Sequence, residues 1–430
     1  MTHPRNDRDS GFEMATSRIR FGPGTTREVG WDFADWGVRR VLAVVDPAVS
    51  KLAPGDVLRE SLQAAGIEFE WFDQVRVEPS QSSFQAAIDV ARAGRFDGFV
   101  ALGGGSTIDT AKVANLFSTY PADFLTYVNA PLGQAKPIPG PLKPLIAIPT
   151  TAGTGSETTG VAICDLDGKH IKTGIAHRLL KPTLGVLDPD NTRTCPPQVA
   201  ASAGLDVLCH ALESYTALPY DARPRPDRPS LRPNYQGANP VSDVWVEKAL
   251  RMVVEYLPRA YADTSDDEAR ANMLLAAAYA GIGFGNAGVH LCHALSYPIA
   301  SQVRDYRAAD YPDDHAMVPH GISVVLTAPA VFAFTAPACP ERHLRGAELL
   351  GAEITGAEPQ DAGVILGDRL TQLLVQFNIP NGLSAVGYAP VDVPDLAAGA
   401  IQQQRLTRLS PRHVELSDLE SILRNSFQLW

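Results

Sequence analysis

The chain has 430 residues, 45% of them hydrophobic, and a formal net charge of −11, which is enough apolar content for two cores and too acidic a balance for a general nucleic-acid binder. Five cysteines, an odd number in a long chain, do not form a secreted disulfide framework. No run of about 18 uninterrupted apolar residues offers a membrane span, and the polar start MTHPRNDRDSGFE has no signal-peptide core, so the expected location is the cytoplasm, with neither membrane nor nucleic acid as a partner.

In chain order, the polar tail reads as loose, and SRIRFGPGTTREVG follows as a short strand, a glycine turn and a helix start. VLAVVDPAV (41–49) is a buried-strand pattern that closes on Asp46 and Pro47, with an amphipathic helix expected over about 55–65. IEFEWFDQV (67–75) alternates like a second strand, Pro79 and Ser80 open the helix SSFQAAIDVARAG, and FDGFVALG (96–103) is a third strand. Strands separated by helices predict a parallel sheet covered on both faces.

That third strand runs into GGGSTIDTAKVANLF, where Gly103, Gly104 and Gly105 let the chain bend and Ser106 and Thr107 stand at the helix start. A glycine turn feeding a helix N-terminus suits a phosphate; because it matches neither GxGxxG nor GxxxxGK[ST], a merely tight turn is the competing reading. PLIAIPTTAGTGSE (144–157) repeats the layout with Thr150, Thr151, Thr154 and Ser156, and ligands of open parallel sheets collect outside such strand ends. VAICDLDGKHIKTGI (161–175) reads as two short strands about Asp167-Gly168. Lys172, on the second, serves a phosphate, a ribose or a substrate carboxylate, or is a solvated strand lysine. PTLGVLDPD (182–190) closes the sheet, and after Cys195-Pro196-Pro197 the texture turns helical.

The predicted fold class is α/β: a Rossmann-like parallel-sheet dinucleotide domain over 1–195, followed by an all-helical metal and substrate domain over 196–430. Its helical runs are 198–217, 241–260, 267–281, 286–300, 321–335, 340–352 and 358–376. PYDARPRPDRPSLRPNYQGANP (219–240) is an excursion that covers the cleft or lines a subunit contact. The polar loop 301–319 carries Arg304, Arg307, Asp313, Asp314 and His315, and loops so placed shape substrate sites.

Within GLDVLCHALE (204–213), Asp206 and His210 are four apart, so a helix puts both on one face. They are either a hydrogen-bonded pair or half of a metal site. His293, in GFGNAGVHLCHALSYPI (283–299), and His320, in VPHG (318–321), complete one oxygen and three nitrogen donors, a set suited to Fe²⁺ or Zn²⁺. Cys209 and Cys292 each precede a histidine by one residue and aim elsewhere. His290 reads as a packing histidine, Glu213 as an acceptor for an imidazole or a helix cap, and His170 and His177 show no ligand pattern.

GGGSTIDTAK, PTTAGTGSE, GLDVLCHALE, NPVSD, GIGFGNAGVHLCHALSYPI and VPHG, in this order, resemble the iron-containing (group III) alcohol dehydrogenase family, most closely its hydroxyacid-oxoacid transhydrogenase branch. The resemblance implies a metal, Fe²⁺ or Zn²⁺, held by Asp206, His210, His293 and His320. It also implies a dinucleotide contacting Asp46, Gly104, Gly105, Ser106, Asp109, Thr150, Thr151, Thr159 and Lys172, with Asp46 favouring NAD over NADP, and a homodimer. Two positions depart from the pattern. Tyr297 stands where many members have a second histidine, leaving any proton relay to the tyrosine hydroxyl, a water or the ribose, and Glu78 stands where many have asparagine. The implied reaction moves a hydride through bound NAD from a hydroxyacid such as 4-hydroxybutyrate to an oxoacid such as 2-oxoglutarate, giving succinate semialdehyde and 2-hydroxyglutarate. Both acids need a basic anchor, for which Arg304, Arg307 and Lys172 are the candidates. An ordinary NAD(P)-dependent alcohol dehydrogenase or aldehyde reductase that releases its cofactor is the alternative, and a metal-dependent lyase of similar layout the next.

Overall fold

The apolar runs of the first half pair side by side in one parallel sheet. In the computed structural model, which describes residues 7–168, 171–312 and 314–430, the elements run β1 (Arg18–Phe21), α1 (Val29–Asp35), β2 (Arg40–Val45), α2 (Ala53–Ala64), β3 (Glu68–Phe72), α3 (Gln81–Gly94), β4 (Gly98–Gly103), α4 (Gly105–Thr119) and β5 (Leu145–Pro149). The hairpin β6 (Val161–Leu166) and β7 (Ile171–Ala176) and the last strand β8 (Leu184–Leu187) follow. Residues 1–6 of the tail, His170 and Asp313 lie outside the described residues.

The sheet order is β1-β8-β5-β4-β2-β3. β4, β5 and β8 are buried along their whole length, which is why they read as unbroken apolar runs rather than alternating ones. Val29, Phe33, Leu58 and Leu62 of α1 and α2 pack on Val41, Ala43 and Val45. Ala87, Ala91, Ile108 and Ala111 of α3 and α4 pack on Leu42 and Val44, the opposite face of the same strand. α3 begins where Ser80 accepts the Ser83 N–H, the capping expected of a serine just ahead of a helix. β2 has β3 on one side and β4 on the other, so the order reverses there and a crevice opens at the strand C-termini, the usual place for a ligand in such a sheet. Backbone bonds draw the three loop starts together: Asp46 N–H donates to Leu102 O at 3.0 Å and Thr150 N–H to Gly103 O at 3.1 Å.

The second half is helical: α5 (Pro197–Thr216), α6 (Pro240–Ala262), α7 (Asp267–Ala287), α8 (Leu291–Ser301), α9 (His320–Val325), α10 (Ala328–Thr335), α11 (Pro340–Leu349), α12 (Ala362–Gln376), α13 (Val393–Ile401), α14 (Gln404–Thr407) and α15 (Leu416–Arg424). The run expected over 321–335 is two helices, because Pro329, near the start of α10, has no N–H to continue a helix from α9. α13 to α15 were not anticipated; all three are under ten residues, too short for a helical period to stand out. Gly288, at φ +101, ends α7, and α8 leaves at 104° to it.

The tail differs from expectation. Asp9 is 1% exposed and takes Arg223 at 2.8 Å and Arg232 at 2.9 Å, while Glu13 N–H donates to Gln236 Oε1 at 2.9 Å. Residues 7–15 are therefore tied to the proline-rich excursion, which needed a partner for its arginines and found it at the other end of the sequence. The halves meet where the TTAGTGSE loop lies on α7: a Cβ on Gly281 would stand 2.2 Å from Thr158 Oγ1 and 3.0 Å from Gly155 Cα. Gly281→Ala is expected to destabilise by about 2–3 kcal/mol through this overpacking, read as a lower denaturation midpoint. Gly24→Ala, at φ +77 with nothing within 4 Å, should cost only the ~1–2 kcal/mol of its left-handed backbone.

Candidate metal centre and its cleft

α5 carries Asp206, His210 and Glu213 at a spacing of four and three, hence on one buried face. The bend after α7 turns α8 so that His293 meets that face, and α9 brings His320 as its first residue. One donor atom from each of Asp206, His210, His293 and His320 lies within 4.8 Å of the others. His293 Nε2 is 3.5 Å from Asp206 Oδ1, and His320 Nε2 is 3.8 Å from the same oxygen. Ligands about 2.1 Å from a tetrahedral cation stand roughly 3.4 Å apart, so the spacing fits. Asp206 Oδ1, His210 Nδ1 and His293 Nε2 are buried without hydrogen-bond partners. Three such orphans cost about 1–3 kcal/mol each, and a cation among the donors relieves that cost.

The Asp206 and His210 charges suit the same occupant. Burial alone would raise the Asp206 carboxyl, but His210, His320 and His293 outweigh it and hold the group well below the usual carboxylate range. Burial pushes His210 down to about 3, so it is neutral and offers a lone pair. Its ring lies flat between Phe284, at 3.9 Å between centroids, and His293, at 4.5 Å, which sets its orientation. Glu213, fully buried, takes His293 Nδ1 on one oxygen and the N–H groups of His290 (3.0 Å) and Cys292 (2.8 Å) on the other. It does both things expected of it, imidazole acceptor and cap of α8. With Nδ1 donating to Glu213, His293 turns Nε2 to the cluster.

Opposite the cluster, the sheet loops form the other wall of a cleft of ≈600 Å³. Asp46, Gly104, Gly105, Ser106, Asp109, Thr150, Thr151 and Thr159 all line it. A Cβ on Gly105 would fall 2.7 Å from Thr154 Cγ2, so only glycine lets the start of α4 approach that loop. Asp109 spends its carboxylate inside the protein, on Ser156 Oγ at 2.6 Å and Ile163 N–H at 3.0 Å; it fixes α4 to the neighbouring loop and to β6.

Three expectations need correction. Lys172, 2% exposed, does not line the cleft: Glu78 at 2.8 Å and Asp165 at 3.1 Å close on its ammonium, which the two carboxylates, against burial, hold above the usual lysine range. It positions Glu78, which does line the cleft and is kept ionised by Lys172 and His320. Arg304 also lies outside; its side chain is 58% exposed and pairs with Asp392, because α13, absent from the expected helices, brings that partner. Exposed Arg307 is not in the lining either. Tyr297 is in the lining, 4% exposed, its hydroxyl accepting from Arg405 Nη2 at 3.1 Å. Burial pushes its phenol up, with Arg405 opposing, so it is a neutral donor at ordinary pH. Sequence reasoning missed Tyr235 and Arg405, which lie on the excursion and on α14, with no motif to mark them. His290 is a packing histidine, its Nε2 3.0 Å from Thr216 Oγ1; His315 pairs with Asp314 and His177 caps a turn. Cys209 and Cys292 are buried thiols outside the donor cluster.

Residues 16–189 match the family described as iron-containing alcohol dehydrogenase, and residues 235–427 match the C-terminal part of that family. The chain belongs to the iron-containing alcohol dehydrogenase family. It is 54% identical to the mitochondrial hydroxyacid-oxoacid transhydrogenase of Xenopus laevis, over 98% of this chain and 92% of that one. It is 48% identical to the probable mitochondrial hydroxyacid-oxoacid transhydrogenase of Dictyostelium discoideum, over 99% of this chain and 81% of that one. The fold is shared with 1,3-propanediol oxidoreductase at a TM-score of 0.84 and 27% identity, covering 97% of this chain and all of the other. Membership implies a divalent metal and a nicotinamide dinucleotide, and the donor cluster and loops described above have the chemistry for both. The cytoplasmic location expected from the polar start is overturned by these relatives, which are mitochondrial by name. A missing apolar core argues against secretion only, since mitochondrial leaders are amphipathic and arginine-rich and have no such core.

Glu213→Gln is expected to lower divalent-ion affinity about 10–100-fold, measured by competition with a chromogenic chelator, with the circular dichroism spectrum unchanged. His293→Ala should abolish stoichiometric metal content by elemental analysis.

Proposed function

We propose that the protein is a hydroxyacid-oxoacid transhydrogenase that moves a hydride from 4-hydroxybutyrate to 2-oxoglutarate by way of one retained NAD. The observation that carries this reading is the near-full-length identity of 54% to transhydrogenases, in a chain whose four-donor cluster faces the nucleotide loops across one cleft. The first acid gives up hydride and a proton and leaves as succinate semialdehyde; the second takes up both and leaves as 2-hydroxyglutarate, so no external oxidant is consumed.

Residues 1–195 would hold the cofactor and residues 196–430 the metal and substrate, with the chain acting as a homodimer. Asp206, His210, His293 and His320 would hold the ion, for which Fe²⁺ is proposed over Zn²⁺, and Asp46, Gly104, Gly105, Ser106, Asp109, Thr150, Thr151 and Thr159 the NAD. When bound, the cation supplies Lewis acidity at the reacting oxygen while the nicotinamide carries the hydride. The protein does the rest. Glu213 keeps His293 in one tautomer, the loops at the β2/β4 crevice orient the dinucleotide, and the apolar wall of Phe284, Val289 and Tyr297 excludes water from the transfer. Tyr297, a neutral phenol, would hydrogen-bond the substrate oxygen in place of the family's histidine. Asp46, anchored through Oδ1 by the Ala48 and Val49 N–H groups, would accept a ribose hydroxyl and repel a 2'-phosphate.

Purified protein given 4-hydroxybutyrate and 2-oxoglutarate without added nucleotide should form succinate semialdehyde and 2-hydroxyglutarate in equal amounts, and a strong chelator should stop both. Brisk oxidation of simple alcohols that needs stoichiometric free NAD⁺, with no paired products, would establish the ordinary alcohol dehydrogenase instead. Asp46→Ser should narrow the preference for NAD⁺ over NADP⁺ by about tenfold, read as the ratio of binding constants.

A further inference from the structure

The cleft contains a cation that no carboxylate among the described residues neutralises. Arg405, on α14, lines the cleft with Tyr235, Phe284, Tyr297 and His293. Its Nη2 donates to the Tyr297 hydroxyl at 3.1 Å, and its guanidinium carbon lies 4.8 Å from the centre of the Tyr235 ring. Its Nη1 is buried and has no hydrogen-bond partner. Among the described residues no carboxylate stands within ion-pair distance of it, whereas Arg304, Arg223, Arg232 and Lys172 all have one. A guanidinium set over one aromatic ring and a neutral hydroxyl, with a donor left over, calls for an anion. Its place is fixed from both sides: Gln403 Nε2 donates to Lys172 O at 3.2 Å, and Leu218 N–H donates to Leu409 O at 2.8 Å.

Resting on the transhydrogenase reading, we propose that Arg405 binds the carboxylate that both substrates carry three carbon–carbon bonds from the reacting carbon. In 4-hydroxybutyrate the reacting carbon is C4 and the carboxylate is C1; in 2-oxoglutarate they are C2 and C5. The separation is the same, so one fixed cation serves both half-reactions and the semialdehyde and hydroxyacid products as well. Through the Tyr297 hydroxyl, Arg405 is tied to the turn of α8 next to the one that carries His293, four residues earlier. The shared distance gives a physical reason for two chemically different acids to exchange a hydride in one pocket, and for an uncharged alcohol of equal length to be a poor substrate.

The test compares the wild-type holoenzyme with Arg405→Met and Arg405→Lys on three readouts: paired turnover of the two acids, oxidation of 1-butanol with added NAD⁺, and binding of glutarate, a non-reacting diacid, by calorimetry. In Arg405→Met the ratio of kcat/KM for 4-hydroxybutyrate to that for 1-butanol should fall roughly 100-fold, chiefly through KM, and glutarate binding should be lost. Arg405→Lys, which keeps the charge without the fork, should recover part of both. Equal losses on acid and alcohol, undiminished glutarate binding in Arg405→Met, or loss of the bound nucleotide from that variant would overturn the assignment. Should the wild-type protein fail to pair the two acids, the transhydrogenase reading fails by itself, and the glutarate measurement still decides whether Arg405 is a carboxylate anchor.

Discussion

The contact between Glu213 and the start of α8 holds the site together. A fully buried carboxylate persists only if every oxygen is paired, and Glu213 meets that demand with the His293 imidazole and with the backbone N–H groups that begin α8. The same group therefore joins α5 to α8, offsets the exposed backbone donors of a helix that starts in the core, and selects the tautomer of a metal donor. Asp206 and His210, on the same face of α5, inherit their position relative to His293 from this one interaction. The bend between α7 and α8 would otherwise leave buried donors without partners.

Glycine decides how closely the two halves approach. At Gly281 a side chain would collide with Thr158 and Gly155 of the first half, and at Gly105 with Thr154 of the neighbouring loop in the same half; the first approach sets the sheet loops and the four-donor cluster on the two walls of one cleft. The distance a hydride must travel is thus set by backbone-to-backbone packing rather than by flexible side chains, which suits a reaction that needs its partners prealigned. Asp109, on α4, adds to this by bonding to Ser156 of the neighbouring loop and to the Ile163 N–H of β6. The ion pairs of Lys172 with Glu78 and Asp165 tie the β6–β7 hairpin to the region around His320.

Much of this could be read before the fold was known. The alternation of apolar runs and helical periods marked every strand of the parallel sheet, because buried strands and amphipathic helices impose those periods locally. The four residues of the donor cluster were also legible, since each sits in a distinctive apolar or Pro-Gly setting, and the glycine and threonine loops announced themselves by composition. The basic residues were not. Lysine and arginine look alike in every local context, and their role depends on which carboxylate the fold sets beside them. Lys172 is claimed by Glu78, 94 residues away, and Arg304 by Asp392, 88 residues away.

By itself, the sequence determined the parallel sheet, the helical second half and the four residues that the fold gathers into one donor cluster, all properties written in short-range periodicity and residue chemistry. The tertiary structure alone decided which cations are spent in ion pairs and which one, Arg405, is left facing the cleft. It also decided that residues 7–13 are tied to the 219–240 excursion. Those outcomes depend on contacts between residues far apart in the chain, and long-range contacts leave no periodic trace in the order of amino acids.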